Sequence, residues 1–511
     1  MGAEPRYLDD ETMRHYIVRG YFTVQSELPA SFHANLVQQL DTVLAAEGNW
    51  GNNILPRVPE IQKIFRAPEV HGALASILGP NYIMHPHRHA HCNVPGSAAQ
   101  ALHKDSTHYS GDVDIRHHRS RWAMAFYYPQ EVTEDMGPTS ILPGTQYYEE
   151  ESHDPDNAEL ILCGKAGTLT IVNFDVWHRA TANTSGKRRW MLKFLFARTE
   201  EPGLGAWRAA SPDWFAHSED AGSDKHALVW RTLWNWIQGE ARTAIPDAAL
   251  GDAGDLAECV RALRAGGTPA LPGGSADPAQ RWRAANRLGI MGALAADATP
   301  ALATALRDQD EAVRLNASYA LGLVGAAAVP ALIAEVREGT EIGRRHAACA
   351  LSLVGKPAVG ALLQATEAPD WEVRAVIVDT LGEIGSVTPE IAPALVRAIE
   401  DDSDWVRRHA ADAAGTIGPA ASDTVPGLIR LLEDKQPYVR INAATALVKI
   451  GPAAEEAVPA LIEALDDLDR YVRGFAALAL RRIGTEQARE ALFDLLETAR
   501  CCPVTTIKSP Y

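Results

Sequence analysis

Ala101-Leu102-His103-Lys104-Asp105 and, further along, Asn173-Phe174-Asp175-Val176-Trp177-His178 are the segments that decide the first half of the chain. On extended backbone, side chains at i and i+2 point the same way. His103 and Asp105 can therefore grip one metal ion from one strand end. A second histidine must then come from a distant strand, and His178 is placed to supply it. Two histidines and a carboxylate form a facial triad that leaves open positions on iron(II). A His-x-Asp alone arises readily by chance, so its surroundings matter. Eleven residues after His178 stands Arg189, within Lys187-Arg188-Arg189-Trp190. Its two-pronged guanidinium suits a carboxylate. Neighbouring residues on a strand face opposite sides, so only one of Arg188 and Arg189 can enter the site, and the spacing favours Arg189. Between the triad halves, Met136-Gly137-Pro138-Thr139-Ser140-Ile141-Leu142-Pro143-Gly144-Thr145 reads as a double turn.

Outward from these segments the chain alternates as strands do. Tyr21 to Val24, Tyr82 to Met84, Arg121 to Tyr128, Gly167 to Val172 and Trp190 to Phe196 are β-branched and aromatic runs bounded by turn residues. Segments 31–48 and 60–78 read as helices. Several strands joined by long loops predict a β-sandwich or jelly roll with helices outside it.

In order, residues 10–200 carry Gly20-Tyr21, His103-x-Asp105, Gly137-Pro138 followed by Pro143-Gly144-Thr145, and His178 with Asn183 five and Arg189 eleven residues on. This ordered set resembles the phytanoyl-CoA dioxygenase family. The resemblance implies a double-stranded β-helix and a reaction that uses Fe(II), 2-oxoglutarate and O2. 2-Oxoglutarate would be oxidised to succinate and CO2 while a substrate C–H bond is attacked. It implies His103, Asp105 and His178 as the metal ligands and catalytic centre. Arg189 would anchor the distal carboxylate of 2-oxoglutarate, with Asn93 and Thr139 as further cosubstrate contacts. Related halogenases carry Ala or Gly in place of the carboxylate, so Asp105 favours hydroxylation or desaturation. The chain departs from the family at Leu102, where an aromatic residue is frequent, at Ala180, where a small hydroxyl residue is frequent, and at Asn93, where a lysine is frequent.

The second half repeats. Arg281, Arg314, Arg344, Arg374, Arg407, Arg440 and Arg473 recur at spacings of 33, 30, 30, 33, 33 and 33, each with a glycine eleven residues later. Each unit reads as two helices. The first stops at the glycine, a natural helix end, and the second is often opened by proline, which suits a first helical turn. One such pair cannot bury its own apolar face, so neighbours must stack. The units resemble the short HEAT-like repeats of phycobilisome lyases. The repeated arginine reads as one side of an ion-pair or capping ladder with the acids that precede it, such as Asp310, Asp404 and Asp469.

The predicted architecture is therefore multidomain α+β. Residues 1–200 form a double-stranded β-helix (jelly roll), 201–275 a Trp-rich helical connector and loop, 276–498 an all-α solenoid of seven HEAT-like repeats, and 499–511 a tail. Trp230 and Trp234, at i and i+4, share a helix face and should dock the solenoid on the oxygenase. The Gly/Pro/Ser stretch at 266–275 should be a surface loop. His85, His87, His89 and His91 alternate; if extended, they share one face as a polar pocket wall. His108, His117 and His118 fall in a loop that could line the substrate entrance.

Composition sets limits. The net charge of -17 and pI near 5.5 argue against a general nucleic-acid binder. No uninterrupted apolar run reaches 18 residues, so no membrane span is expected. The six cysteines form no CxxC pair and read as free thiols in the cytoplasm. The expected substrate is a small molecule, or one presented on a carrier or peptide. The solenoid's concave surface could also hold a protein partner. Two competing readings remain: an inactive oxygenase fold serving a repeat-based interaction scaffold, and a bilin lyase or chaperone. The intact triad with Arg189 argues against the first, and the second leaves residues 1–200 unexplained.

Overall fold

The computed structural model describes residues 4–48, 50–105, 118–151, 157–203, 207, 209–211, 213–214, 225–239, 256–264, 277–385 and 390–498. Its N-terminal part is built on two antiparallel sheets. In chain order the strands are β1 (Tyr21–Gln25), β2 (Ile83–Asn93), β3 (Trp122–Tyr128), β4 (Thr139–Ile141), β5 (Leu160–Ile161), β6 (Thr168–Asn173), β7 (His178–Ala180) and β8 (Arg189–Ala197). The larger sheet runs β1-β6-β3-β8-β2 and the smaller β5-β4-β7.

Period-two patterning decides which side chains meet. On β3, Met124, Phe126 and Tyr128 face the space between the sheets, where they join Ile141, Leu162, Val172 and Val176 in one buried cluster. Ala123, Ala125 and Tyr127 face the other way, into the core shared with Leu36, Leu40, Leu74 and Ile77 of the outer helices. The same split on β8 sends Trp190, Leu192, Phe194 and Phe196 outward to the helices. Its other face, Arg189, Met191, Lys193 and Leu195, is left for the interior of the sandwich.

The helix expected over 60–78 is broken. A 3-10 turn at Pro59–Ile61 leads into Gln62–Arg66, and a new helix starts at Pro68. Proline disfavours helical geometry in the residue before it, and Ala67 is extended at φ -64°, ψ 138°.

Among the described residues the solenoid has seven helix pairs. Their first helices are Pro278–Met291, Glu311–Val324, Glu341–Val354, Trp371–Ile384, Asp404–Ile417, Pro437–Ile450 and Arg470–Ile483. Each ends at its expected glycine with positive φ. The ladder exists, with different partners from those expected. Arg281, Arg374, Arg407 and Arg440 reach forward to Asp308, Asp401, Asp434 and Asp467 of the following repeat, at 2.8 Å. Asp310 and Asp469 instead cap their own helices, accepting from Val313 N and from Tyr471 N. They sit too close to the helix start to reach back across the repeat interface.

Two stretches, Pro278–Ala305 and Glu311–Glu338, are long and apolar enough by composition to cross a membrane, which uninterrupted-run counting misses. Each is a repeat pair turning at Gly292 or Gly325. Leu288, Leu302, Leu315, Leu321 and Leu332 within them are buried in the stacking.

The modules meet over more than the tryptophan helix. That helix, Ala227–Ile237, buries Trp230 and Trp234 as expected. Arg14 lies over the Trp234 ring, and Asn286 and Asn316 of the first two repeats donate to Lys225 O. Burying such a ring contributes roughly 1.5–3 kcal/mol. Further along, Arg119 and Arg121 converge on Glu383, and Arg345 pairs with Glu149 at 3.1 Å. The last repeat lies on β2. A side chain on Gly474 would strike Pro86, with Cβ 2.6 Å from its Cγ. At this position other repeats carry Leu315, Arg345, Arg408 or Ile441. Glycine therefore lets the helix Arg470–Ile483 approach the sheet. Residues 266–275, the expected surface loop, lie outside the described residues.

Candidate metal centre

His103 and His178 face each other across an isolated antiparallel bridge, each backbone N–H donating to the other's carbonyl at 3.0 Å. The bridge extends the smaller sheet beyond β7 and brings the distant triad halves together. His103 Nδ1 lies 3.0 Å from Ala101 O, and His178 Nδ1 lies 3.1 Å from Val176 O. Carbonyls there favour a proton on Nδ1 and leave the Nε2 lone pair available to a metal. The Nε2 atoms lie 4.0 and 3.8 Å from the Asp105 carboxylate. The ligand atoms of His103, Asp105 and His178 all lie within 4.8 Å of one another, and among the described residues this is the one His/Cys/Asp/Glu group so arranged. Lys104 points away and donates Nζ to Thr145 O and Tyr148 O at 3.0 and 2.5 Å. It thereby pins the segment between His103 and Asp105.

Burial pushes the His178 imidazole down to about 4, with Lys193 adding to the effect. It is therefore neutral near pH 7, the form in which an imidazole can bind a metal. Burial pulls the Asp105 carboxyl upward, but Lys193 and His178 outweigh it and leave it at about 2. It is ionised.

Arg189 opens the same cavity, a space of about 680 Å³ lined also by His103, Asp105, Thr139, His178 and Lys193. It is 1% exposed. Its Nε and Nη2 donate to Gly137 O, which fixes the fork, while Nη1 is buried with no partner. Thr139 Oγ1 in the same cavity is also buried and unpartnered. Asn93 donates Nδ2 to Gly137 O at 2.9 Å, so it holds the same turn as Arg189. Gly137 has φ 69°, and a Cβ there would meet Asn93 Nδ2 at 2.4 Å, so the turn requires glycine. Arg188 leaves the site and pairs with Asp41 at 2.7 Å on the surface.

The sequence reading missed Lys193. Its ammonium bonds Asp105 Oδ2, and it is 6% exposed. The signal was its place four residues after Arg189, on the same strand face. The alternating histidines do not form one regular row. The pairing of β2 with β8 shifts between Met84 and Arg88, around Pro86, which cannot donate to the ladder. His85 is buried against Trp122 and Phe475, outside the pocket lining, while His87, His89 and His91 line the pocket. His118 does not line that pocket. Its Nδ1 lies 3.2 Å from Tyr319 Oη of the solenoid. His108 and His117 lie outside the described residues.

Residues 36–191 match the model of the phytanoyl-CoA dioxygenase (PhyH) family. Overlapping HEAT-repeat matches cover 329–415, 359–435, 392–473 and 425–500. No curated protein matches the chain. The solved structures it is similar to include the non-heme alpha-ketoglutarate-dependent carbocyclase SnoK from nogalamycin biosynthesis, at 18% identity over 39% of this chain and 88% of that one, TM-score 0.32. EctD from S. alaskensis with 2-oxoglutarate and 5-hydroxyectoine is 15% identical over 38% of this chain and 79% of that one, TM-score 0.32. The CpcE–CpcF complex of phycocyanin lyase from Nostoc sp. PCC7120 is 26% identical over 30% of this chain and 98% of that one, TM-score 0.28.

Proposed function

We propose that this chain is an Fe(II)- and 2-oxoglutarate-dependent dioxygenase. It hydroxylates an unactivated C–H bond of a small molecule, or of a substrate carried on another molecule, and the HEAT-like repeats serve substrate or partner binding. The observation that carries the reading is a single cavity holding both the His103/Asp105/His178 cluster and an Arg189 Nη1 with nothing to bond. A buried, unpaired guanidinium N–H is costly unless a ligand completes it.

His103 and His178 would offer neutral Nε2 atoms and Asp105 one negative charge, a donor set suited to Fe(II) with positions left open. Arg189 Nη1 and the Thr139 hydroxyl would receive the distal carboxylate of 2-oxoglutarate. Asn93 would keep the Gly137 turn, and so Arg189, in place. Bound iron with 2-oxoglutarate and O2 supplies an oxidant strong enough for an unactivated C–H bond. The chain's own share is to orient both substrates and exclude water from the cavity. The thiols of Cys92, Cys163 and Cys349 are free, which fits a reducing cytoplasm.

An anaerobic titration of the full chain with Fe(II) and 2-oxoglutarate tests this reading. A visible charge-transfer absorption that needs both, and that is absent in His178→Ala, is expected. Its absence from the parent protein would refute the assignment.

A further inference from the structure

We propose that the last two repeats form the second wall of the substrate cleft, and that Arg470 selects a small molecule with an apolar body and an anionic head group. The proposal rests on the dioxygenase reading and adds the substrate's chemistry to it.

Asp105 lines two adjoining cavities. The second, about 460 Å³, lies between the sheet and the solenoid, with His87 and Leu195 on one side and Pro437, Tyr438, Ile441 and Tyr471 on the other. Both tyrosines and Ile441 belong to the repeats, so an oxygenase module alone would leave this side open to water. Tyr438 is 48% exposed at the cleft, with the Arg408 guanidinium over one face of its ring at 4.8 Å. The wall is fixed to the oxygenase by hydrogen bonds. Tyr471 Oη lies 2.8 Å from His87 Nδ1 and 3.3 Å from the Asn52 side chain.

Charge identifies the head group. Among the described residues lining the metal cavity, Asp105 is the sole carboxylate, against Arg179, Arg189, Lys193 and Arg470. Arg179 is paired with Glu159 and Lys193 with Asp105. 2-Oxoglutarate would take Arg189. Arg470 remains; it is exposed, bonds the neutral Tyr471 Oη at 3.2 Å, and has no ion-pair partner among the described residues. It is also placed against its helix. Arg470 opens Arg470–Ile483, where the positive end of the helix dipole disfavours a cation, while the matching first turns carry Glu311, Glu341 and Asp404. Asp469, on the second cavity's wall, is occupied in capping Tyr471 N. The Arg470 guanidinium lies over the Tyr471 ring at 4.9 Å, and in a chain of net charge -17 a cation without a carboxylate partner at the mouth of an apolar cleft fits an anion brought in with an apolar body.

The test is calorimetric titration of the full chain, loaded with Co(II) and 2-oxoglutarate so that Arg189 is taken. The probes are octanoate, octanamide and octyl phosphate. Octanoate is expected to bind at least about tenfold more tightly than octanamide, the scale of one lost charged partner. Arg470→Gln should bring the two together, and Tyr438→Ala should weaken both alike. Octyl phosphate binding more tightly than octanoate would assign a phosphate head group, and the reverse a carboxylate. Equal binding of acid and amide, an acid preference that survives Arg470→Gln or is lost instead in Arg189→Ala, or no probe binding at millimolar concentration would overturn the proposal. Co(II) absorption of the same samples reads the metal centre separately. Its failure would remove the dioxygenase reading while the acid–amide comparison still reports on the Arg470 pocket.

Discussion

Arg281 of the solenoid and Arg189 of the sandwich are both buried, and they are handled in different ways. In the solenoid, Arg281 at 6% side-chain exposure is met by Asp308 at 1%, both bonds at 2.8 Å. Arg374 and Arg440 are matched in the same fork-to-fork manner. In the sandwich, Arg189 is buried as deeply, yet it is held by a single carbonyl, and one of its nitrogens is bonded to nothing. A guanidinium satisfied within the fold costs little to keep and holds neighbours in register. One left unsatisfied lowers stability and is explained by a ligand that completes it. Arg314 Nε and Arg198 Nε are also buried without a partner, so what sets Arg189 apart is that its unpartnered nitrogen belongs to a residue lining the cavity that holds His103, Asp105 and His178. Arg470, also on that cavity and without an ion-pair partner among the described residues, falls with it although it belongs to a repeat.

The largest effects should come from the metal cluster. His103→Ala, Asp105→Ala and His178→Ala should each abolish Co(II) or Fe(II) binding at stoichiometric metal, with circular dichroism unchanged. A His178 variant that kept parental metal affinity would remove the cluster from the account. Next comes the unpaired arginine. Arg189→Ala should weaken 2-oxoglutarate binding by about 2–5 kcal/mol, the usual cost of removing one partner of a buried charged contact. Arg188→Ala, which removes only a surface pair, should change it by less than about 1 kcal/mol. A titration showing the reverse order would overturn the contrast.

The paired set should behave in the opposite way. Arg281→Ala leaves Asp308 buried and uncompensated and should cost roughly 3 kcal/mol of stability, read as a lowered denaturant midpoint, with 2-oxoglutarate affinity unchanged. A smaller effect than that of Arg281→Ala should lie at the seam between the regions. Burial between Trp122 and Phe475 pushes His85 down to about 3 from its usual 6.5. The unfolded chain therefore takes up a proton that the folded one refuses. This contribution is fully present above about pH 6.5 and is lost as pH falls towards 3. Between pH 7 and 5 it should amount to about 1–2 kcal/mol. His85→Asn should flatten the pH dependence of the melting temperature over that window, and an unchanged slope would show that His85 titrates normally.

The sequence made legible whatever has a local period or a local spacing. β3 and β8 alternate because one face meets the smaller sheet and the other the helices. The repeats stand out because each pair must bury itself against the next. His103 and Asp105 are two residues apart, and Arg189 lies a fixed distance from His178, so both could be read without a fold. β4 and β7 could not, because three-residue strands carry no period. Of the histidine row, His87, His89 and His91 line the pocket as expected, and His85 leaves it because Pro86, visible in the sequence, breaks the pairing that alternation assumes. The ladder's partners were misassigned because Asp310 and Asp469 stand near the arginines in sequence, whereas Asp308 and Asp467 reach them only once repeats stack. Arg470 was beyond reach, since the path of the whole solenoid decides which repeat returns to the sheet.

The most direct test of the central claim is 2-oxoglutarate turnover by the full chain with Fe(II) and O2 and no added substrate. The account predicts slow succinate release, one CO2 per succinate, that stops without iron and is absent in His178→Ala. Succinate release that persists without iron or in that variant, or none at all from a parent protein that binds both iron and 2-oxoglutarate, would contradict it.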